Sequence, residues 1–345
     1  MDWADGYTAT YLVHRVNPKT WENAELIANV DSMQVERDGT GEAPMLESGR
    51  ANVTVEAGES FAPGYYRFTM RAEQNGIEDV DIATLYCHSA GGTTDYGVTS
   101  LDIEGESVLK PAADRLLTSG SYAPRGADGA KFAADLLGEC LHAPIDVGAS
   151  FALAQHVVFD IGDSYLEAVW SLLKAGGCIM QIDGDGTVSI VKRPTEPSLV
   201  LDSSTASMLM PEIQPSVDYD GIPNRYTAID EFESVTVVND DPNSITSTVS
   251  RGYIKDEVDD SPTRVDGETL TAYARRMLQE KSTVDDERVY DREYYPNVHP
   301  FSIVRGNLPS IGFDGDMVVR SQSLKIEHGI VVTEKAAHEI TTWEA

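Results

Sequence analysis

The chain has 345 residues, 41% of them hydrophobic, and its 57 acidic side chains outnumber its 26 basic ones to give a net charge of −31. That charge excludes sequence-specific nucleic-acid binding and docking on an anionic membrane, because phosphate contacts require clustered Lys and Arg. Length and apolar content suffice for two or three domains with their own cores.

The cysteines and the hydropathy pattern point to a protein made and folded in a cytosol. Cys87, Cys140 and Cys178 show no CxxC spacing, so we expect free thiols rather than a disulfide framework. No stretch approaches the roughly 18 apolar residues of a membrane span. The first residues also lack the basic start and apolar run of a secretion signal.

Short alternating segments fill the first 105 residues. Polar and apolar side chains alternate within them, and turns rich in Gly, Pro and Asp separate them; the clearest segments are 7–16, 31–37, 51–56, 65–71 and 81–88. Strands and turns at such intervals predict an antiparallel barrel or sandwich.

The stretch from Asp95 to Leu117 marks the change from strands to helices. We interpret Gly105 as a turn at the end of the alternation, and Pro111 fits the first turn of a helix, where its missing N–H costs nothing. The stretch therefore predicts a connector between two folding units, with Gly105 and Pro111 setting the exit angle. Substitution of either should impair assembly of the protein rather than remove an activity.

The middle of the chain, residues 106–199, has helical signals. Asp128 can cap a helix over 128–142, and a second helix starts at Ser164 and stops at Gly176. The hairpin 178–192 follows, folded around the turn Asp183-Gly-Asp-Gly186.

The last third returns to strands on both sides of an acidic segment. Residues 200–238 and 300–345 are rich in β-type alternation, so two β-rich units flank the helical middle and could be distant duplicates. Between them, residues 239–299 form an acidic insert containing one amphipathic helix at 268–281.

No catalytic, cofactor or metal motif stands out. The Asp183 turn lacks the Glu of a calcium loop, which would fall at Pro194, and the seven histidines have no metal spacing. Acidic pairs such as Asp259-Asp260 are expected by chance among 57 carboxylates. The residues therefore favour a protein that is not an enzyme and has no cofactor.

Five short motifs occur in the order found in minor tail proteins of long-tailed phages. In chain order, the motifs are RVNPKTW with Pro18 and Trp21, LDIEGESVLKPAADRLLTSGSY (101–122), IPNRYTAI with Pro223 and Asn224, the loop with Asn239, Pro242 and Gly252, and the closing segment with Gly315 and Asp316. The chain thus resembles the tail hub family, which includes baseplate hubs and the spike hubs of contractile injection systems. Gly105-Glu106 replaces the Cys-Tyr usual before the SVLKP run.

The resemblance implies a mainly β, α+β fold with two similar antiparallel β-barrels and a helix-containing middle domain. The first, tube-facing barrel would span 1–105, the middle domain 106–199 and the second barrel 200–238 plus 300–345. The insert 239–299 would pack on the middle domain through its helix.

The resemblance further implies a homotrimeric, structural hub at the virion tail tip, assembled in the host cytoplasm. It would adapt a hexameric tail tube to a three-fold tip and form part of the DNA exit channel, where acidic residues would repel DNA. Its partners would be the tail tube or distal tail ring, a downstream tip, fibre or spike protein, and possibly the tape measure protein.

Two alternatives remain at this point. A receptor- or carbohydrate-binding tail-tip module would expose clustered aromatics, for which Tyr290, Tyr294 and Tyr295 are candidates, although packing at a subunit interface is favoured for them. A polysaccharide hydrolase would use an acidic pair and has less support.

Overall fold

Strands form most of the described chain, which confirms the mainly β expectation. The computed structural model describes residues 7–39, 44–56, 62–74, 76–95, 98–205, 209–327 and 329–344. In chain order the elements are β1 (Thr8–Val16), β2 (Asn23–Asp38), β3 (Leu46–Glu56), β4 (Gly64–Glu73), β5 (Ile77–Asp95), β6 (Val98–Ser107), α1 (Lys110–Asp114), β7 (Ser121–Ala123), α2 (Gly129–Gly138), β8 (Ile145–Val147), β9 (Val157–Phe159), α3 (Tyr165–Ala175), β10 (Cys178–Ile182), β11 (Val188–Lys192), β12 (Pro197–Leu201), β13 (Leu209–Val217), β14 (Arg225–Ile229), β15 (Ser234–Val238), α4 (Thr248–Arg251), β16 (Asp256–Asp259), α5 (Leu270–Lys281), β17 (Thr283–Glu293), β18 (Ile303–Leu308), β19 (Phe313–Ile326) and β20 (Ile330–Thr341).

The first six strands pair in a circuit. The ladders run β1–β4–β5–β6–β3–β2, and β2 pairs back with β1 through Leu12–Asn29 to Val16–Asn23, all antiparallel. Alternate side chains of these strands point inward. Val13, Val53 and Phe68 are among those buried in the resulting core.

A second set of six strands repeats this order. If the six strands of each set are numbered 1 to 6 in chain order, the first set pairs in the order 1–4–5–6–3–2. The second set consists of β12, β13 and β17–β20, and its pairing order β12–β18–β19–β20–β17–β13 is again 1–4–5–6–3–2. The described residues contain no β13–β12 ladder to match β2–β1, and β12–β18 is parallel where β1–β4 is antiparallel. The two sets thus share strand order while differing in these two ladders.

One ladder joins the two sets into a single twelve-stranded sheet. The second half of β19 pairs with the second half of β2, from Ser321–Asp38 to Ile326–Met33. Apolar side chains of both sets, including Val35 and Leu324, enter one common core. The two sets are therefore packed as one body.

Two buried ion pairs lie beside this join. Arg37 Nε of β2 lies 2.8 Å from Glu47 Oε1, and both side chains are fully buried. Arg292 of β17 holds Glu334 of β20 through two contacts, Nε–Oε1 at 3.1 Å and Nη2–Oε2 at 2.5 Å. Gln322, opposite Arg37 in the joining ladder, donates to Glu334 at 2.7 Å. Each of these contacts lies within one strand set, so they anchor β2 and β19 to their own sets on either side of the join.

His299 lies in the same polar region. It is buried, and its Nδ1 has no hydrogen-bond partner. Burial, together with Arg37 and Arg292, lowers the pKa of His299 to about 3. Burial also raises the pKa of Glu47 to about 7, against the pull of Arg37.

Acidification should therefore destabilise the fold through His299. Its folded-state pKa is below the unfolded value, so its contribution is complete above about pH 6.5 and is lost as the pH falls towards 3. We expect His299→Gln to flatten this dependence by at most about 1.4 kcal/mol per pH unit. Chemical denaturation between pH 3.5 and 7 measures it. Glu47 changes the stability with the opposite sign, but it does so in both proteins, so the difference between the pH slopes of variant and wild type reports His299 alone. Equal slopes in the two proteins would contradict the prediction.

The helices and the hairpin predicted for the middle of the chain are present, although α2 ends at Gly138, before the expected residue 142. Asp128 caps α2 by accepting from Ala130 N and Lys131 N, and Ser164 with Glu167 forms a capping box on α3. β10 and β11 form the expected hairpin, and β8 extends it in parallel. These elements bury their own apolar cluster.

The region 218–281 differs from the prediction. β14 and β15, expected in the second barrel, pair with β16 in a separate three-stranded sheet. α5 packs on this sheet through Leu270, Tyr273 and Leu278, and the loop before it contacts the middle domain through the Leu153–Val265 bridge and Arg264–Gln155. Conversely β17, assigned to the insert, belongs to the large sheet. Alternation alone identifies a strand but not its partners, which explains both errors.

No helix among the described residues has the length and apolar character to cross a membrane.

Candidate functional site

The connector after β6 carries the chain from the sheet into the helical core. Pro111 lies in the first turn of α1, as expected, and Ser107 Oγ accepts from Leu109 N at 3.2 Å. Leu109 and Ala112 are buried with the middle-domain side chains. The helix ends at Asp114, before the expected Leu117, because Arg115 adopts an extended conformation.

Gly105 does not form the turn that the sequence predicted. It lies inside β6, paired with Gly49 on one side and Cys87 on the other. A Cβ on Gly105 would lie 2.8 Å from Cys87 Sγ and 2.9 Å from Leu85 Cβ, closer than real contacts allow. The residue is therefore small because Cys87 and Leu85 of the neighbouring strand β5 pack over it, and it does not set an exit angle.

Trp21 joins the first set of strands to the β10–β11 hairpin. Its N–H donates to Asn17 O in the turn that contains Pro18, φ is +58° at Trp21, and its ring lies edge-to-face against Tyr65 at 5.0 Å. The indole Nε1 then donates to Asp185 O at 2.8 Å. The Asp183-Gly-Asp-Gly turn is thus a docking element.

Arg67 and Thr84 complete this contact, which we name the hairpin dock (Trp21, Arg67 and Thr84 against Gly184 and Asp185). Arg67 Nη2 donates to Asp185 O at 2.8 Å, and Thr84 Oγ1 donates to Gly184 O at 2.9 Å. Arg67 is mostly buried and its Nε also reaches Thr84 Oγ1 at 3.2 Å. Neither residue was predicted from the sequence, although a lone Arg inside the apolar strand YYRFTM was a usable signal.

Five of the motif positions lie in the loops around the small sheet. Asn224 is fully buried; its Nδ2 donates to Tyr253 O at 3.0 Å and Thr246 O at 3.3 Å, and its Oδ1 accepts from Lys255 N at 2.9 Å. Asn239 N donates to Asn224 O at 2.8 Å. The Asn224 side chain thus satisfies backbone groups at 246, 253 and 255, while Asn239 Nδ2 donates to Ser244 Oγ at 2.9 Å within its own loop. Together they hold the loop after β15 on the small sheet.

The other motif residues of this region shape its ends. Pro223 is buried just before Asn224, and Pro242 is exposed with its carbonyl 3.5 Å from Ser250 Oγ. Gly252 ends α4 at φ +70°, a left-handed conformation that favours glycine.

Loss of the Asn224 side chain should destabilise the small sheet strongly. Asn224→Ala leaves a backbone N–H and two carbonyls without their partner, and we expect a loss of about 3 kcal/mol in the free energy of unfolding. Urea denaturation followed by circular dichroism measures it. Asn243→Ala is the matched control, because the exposed Asn243 side chain bonds only within its own turn, to Asp241. Equal losses in both variants would contradict the role of Asn224.

Gly315 and Asp316 lie far from that network, in the β18–β19 hairpin. Gly315 has φ +92°, and a Cβ there would lie 3.1 Å from His338 Cε1. Arg305 donates to both carboxylate oxygens of Asp316, from Nε to Oδ1 at 2.5 Å and from Nη2 to Oδ2 at 2.8 Å. These bonds lower the pKa of the Asp316 carboxyl. The motif positions thus serve three separate structural contacts rather than one pocket.

The aromatic and acidic candidates have structural partners. Tyr290 and Tyr294 are buried in the core of the large sheet, and Tyr295 packs beside them, so neither an exposed aromatic cluster nor a subunit interface exists at Tyr290 and Tyr294. Asp259 accepts from Tyr226 and Tyr273. Asp285 binds Arg320 at 2.5 Å. Within the described ranges, no group of three or more His, Cys, Asp or Glu side chains is placed to hold a metal ion.

The fold matches solved structures over nearly the whole of this chain, at low sequence identity. A tail protein from Neisseria meningitidis MC58 has a TM-score of 0.65 at 14% identity, with 98% of both chains covered. The chain has the fold of phage tail proteins.

Two further solved structures have a similar fold. The 43 kDa tail protein of prophage MuSo2 from Shewanella oneidensis has a TM-score of 0.60 at 13% identity, covering 95% of this chain and 98% of that one. A chain of the Francisella PdpA–VgrG complex scores 0.57 at 10% identity, covering 96% of this chain but 58% of that one. No protein-family model and no curated protein matches the sequence.

Proposed function

We propose that this chain is a structural protein of a phage-type tail tip and forms a homotrimeric hub. The observation that carries the proposal is the repeated 1–4–5–6–3–2 strand order within a fold that matches tail proteins over almost its whole length. Three copies of a chain with two similar units present six similar units. Such an assembly fits a hexameric tube on one side and a three-fold tip on the other.

Each strand set is one barrel in this proposal. The first barrel contains β1–β6 and faces the tail tube, and the second contains β12, β13 and β17–β20. The middle domain between β6 and β12, together with the small sheet and α5, forms the distal part. The hairpin dock supports this division, since it fastens the middle domain to one end of the first barrel.

The proposed partners are the tail tube or distal tail ring above the hub, a downstream tip, fibre or spike protein below it, and the tape measure protein. The net charge of −31 supports a role in a DNA exit channel, because an acidic wall repels the DNA backbone. The proposed location is the virion tail tip, after assembly in the host cytoplasm.

Native mass spectrometry of the purified full chain tests the proposal. We expect a trimer, and electron microscopy of the chain mixed with its tail tube protein should show that trimer capping a six-fold ring. A monomer that ignores the tube protein yet binds glycans would overturn the hub proposal in favour of a receptor-binding module.

A further inference from the structure

The strand β5 changes neighbours at a bulge. Up to Cys87 it pairs with β4 on one edge, the last pair being Gly64–Cys87, and the bulge falls at His88. Its counterpart in the second set, β19, does the same: its last pair with β18 is Ile303–Val318, and the bulge falls at Arg320. Residues 89–94 of β5 therefore correspond to residues 321–326 of β19.

These corresponding segments have different surroundings. Residues 321–326 of β19 pair with β2 and thereby join the two sets. Residues 89–95 of β5 pair with β6 on one edge, and no strand of the described residues pairs with the other edge. The whole segment from His88 to Asp95 is exposed on both faces.

The counterpart of β2 also has one edge without a strand partner among the described residues. β13 takes the place of β2 in the repeated order, and its inner edge pairs with β17 through Ile213–Tyr290 to Val217–Asp286. No described strand pairs with its outer edge. The missing join is therefore the one that would link β13 to β5, as β2 is linked to β19.

The composition of both edges fits contact with a second copy. Residues 89–94, SAGGTT, and 213–217, IQPSV, carry no charge in a chain whose net charge is −31. Exposed edge strands are commonly protected by charged side chains, because an open edge is a template for pairing.

We propose that β5 of one copy pairs antiparallel with β13 of the next copy, and that this ladder is the joint between chains. The proposal rests on the trimer of the proposed function and names its interface. Applying the β2–β19 register places Gly91 opposite Ser216 and Thr94 opposite Ile213. Three such ladders close a ring, because each chain offers one edge of each kind.

Cysteine cross-linking tests the register. In a Cys140→Ser background, Gly91→Cys with Ser216→Cys should give covalent dimers and trimers after mild oxidation, resolved by non-reducing electrophoresis. Gly91 tolerates a side chain, since a Cβ there meets nothing within 4 Å. Gly91→Cys with Gln214→Cys is the register-shifted control, and we expect at least tenfold less cross-linked product from it.

A charge at the edge tests the same joint without a new bond. Gly91→Glu should lower the trimer fraction in native mass spectrometry at least tenfold with an unchanged circular dichroism spectrum. Gly120→Glu, at another open position, should leave it unchanged. A trimer that neither cross-links at 91 and 216 nor responds to Gly91→Glu overturns this interface while the hub proposal stands. A chain that is monomeric at all concentrations overturns both.

Discussion

Replacing Glu334 with glutamine should cost about 3–5 kcal/mol in the free energy of unfolding, since it leaves Arg292 as a buried charge without a counter-ion. Both side chains are fully buried. Burial alone would raise the pKa of Glu334, but Arg292, Tyr290 and Gln322 together hold that pKa below its usual value. The carboxylate is therefore charged in the folded protein and its neighbours depend on that charge.

Denaturant unfolding measures this loss, and two variants define its origin. Asp316→Asn breaks the Arg305–Asp316 pair, which has similar two-point geometry at the surface, and should cost only a small fraction as much because solvent screens exposed pairs. The double variant Arg292→Met with Glu334→Leu should recover part of the loss, since it removes both charges. Equal losses for Glu334→Gln and Asp316→Asn would contradict the argument from burial.

The second large effect is expected from Gly184→Ala in the hairpin dock. A Cβ at Gly184 would lie 1.8 Å from Asp81 O and 2.5 Å from Asp81 C, and no rotamer can relieve a clash with backbone. The hairpin must move away, which breaks the bonds from Trp21, Arg67 and Thr84. At about 1 kcal/mol for each of three bonds, the loss should reach about 3 kcal/mol.

Calorimetry should show this loss as an uncoupling of the middle domain from the first strand set, with a broadened or double transition. Limited proteolysis should then cleave near the hairpin. Gly138→Ala is the matched control, because its Cβ meets nothing within 4 Å at the end of α2 and alanine favours a helix. A single unshifted transition in Gly184→Ala would contradict the dock.

Local features of the fold were predictable from sequence because their causes are local. The caps at Asp128 and Ser164, the proline in the first turn of α1 and the 178–192 hairpin all depend on residues a few positions apart. The role of Gly105 was predicted wrongly, because the need for a glycine there comes from Cys87 and Leu85 on another strand. A glycine in an alternating segment does not reveal whether it is needed for a turn or for close packing.

Long-range pairing was the part that sequence patterns could not supply. β14 and β17 both alternate, yet one belongs to the small sheet and the other to the large one, and only the folded chain shows which. The hairpin dock joins residues 164 positions apart, Trp21 and Asp185. The ordered motifs indicated the tail-protein fold, but they gave no hint that Asn224 and Asn239 would meet.

The ladder between β2 and β19 has a mechanical consequence for a channel. Force that separates the two strand sets must break six neighbouring residue pairs together and expose the buried Arg37 and Glu334 groups. Core strands of this kind open only with much of the structure. The two strand sets of each chain therefore move as one rigid body. In the proposed hub, widening of the channel would occur by sliding or rotation at the contacts between chains.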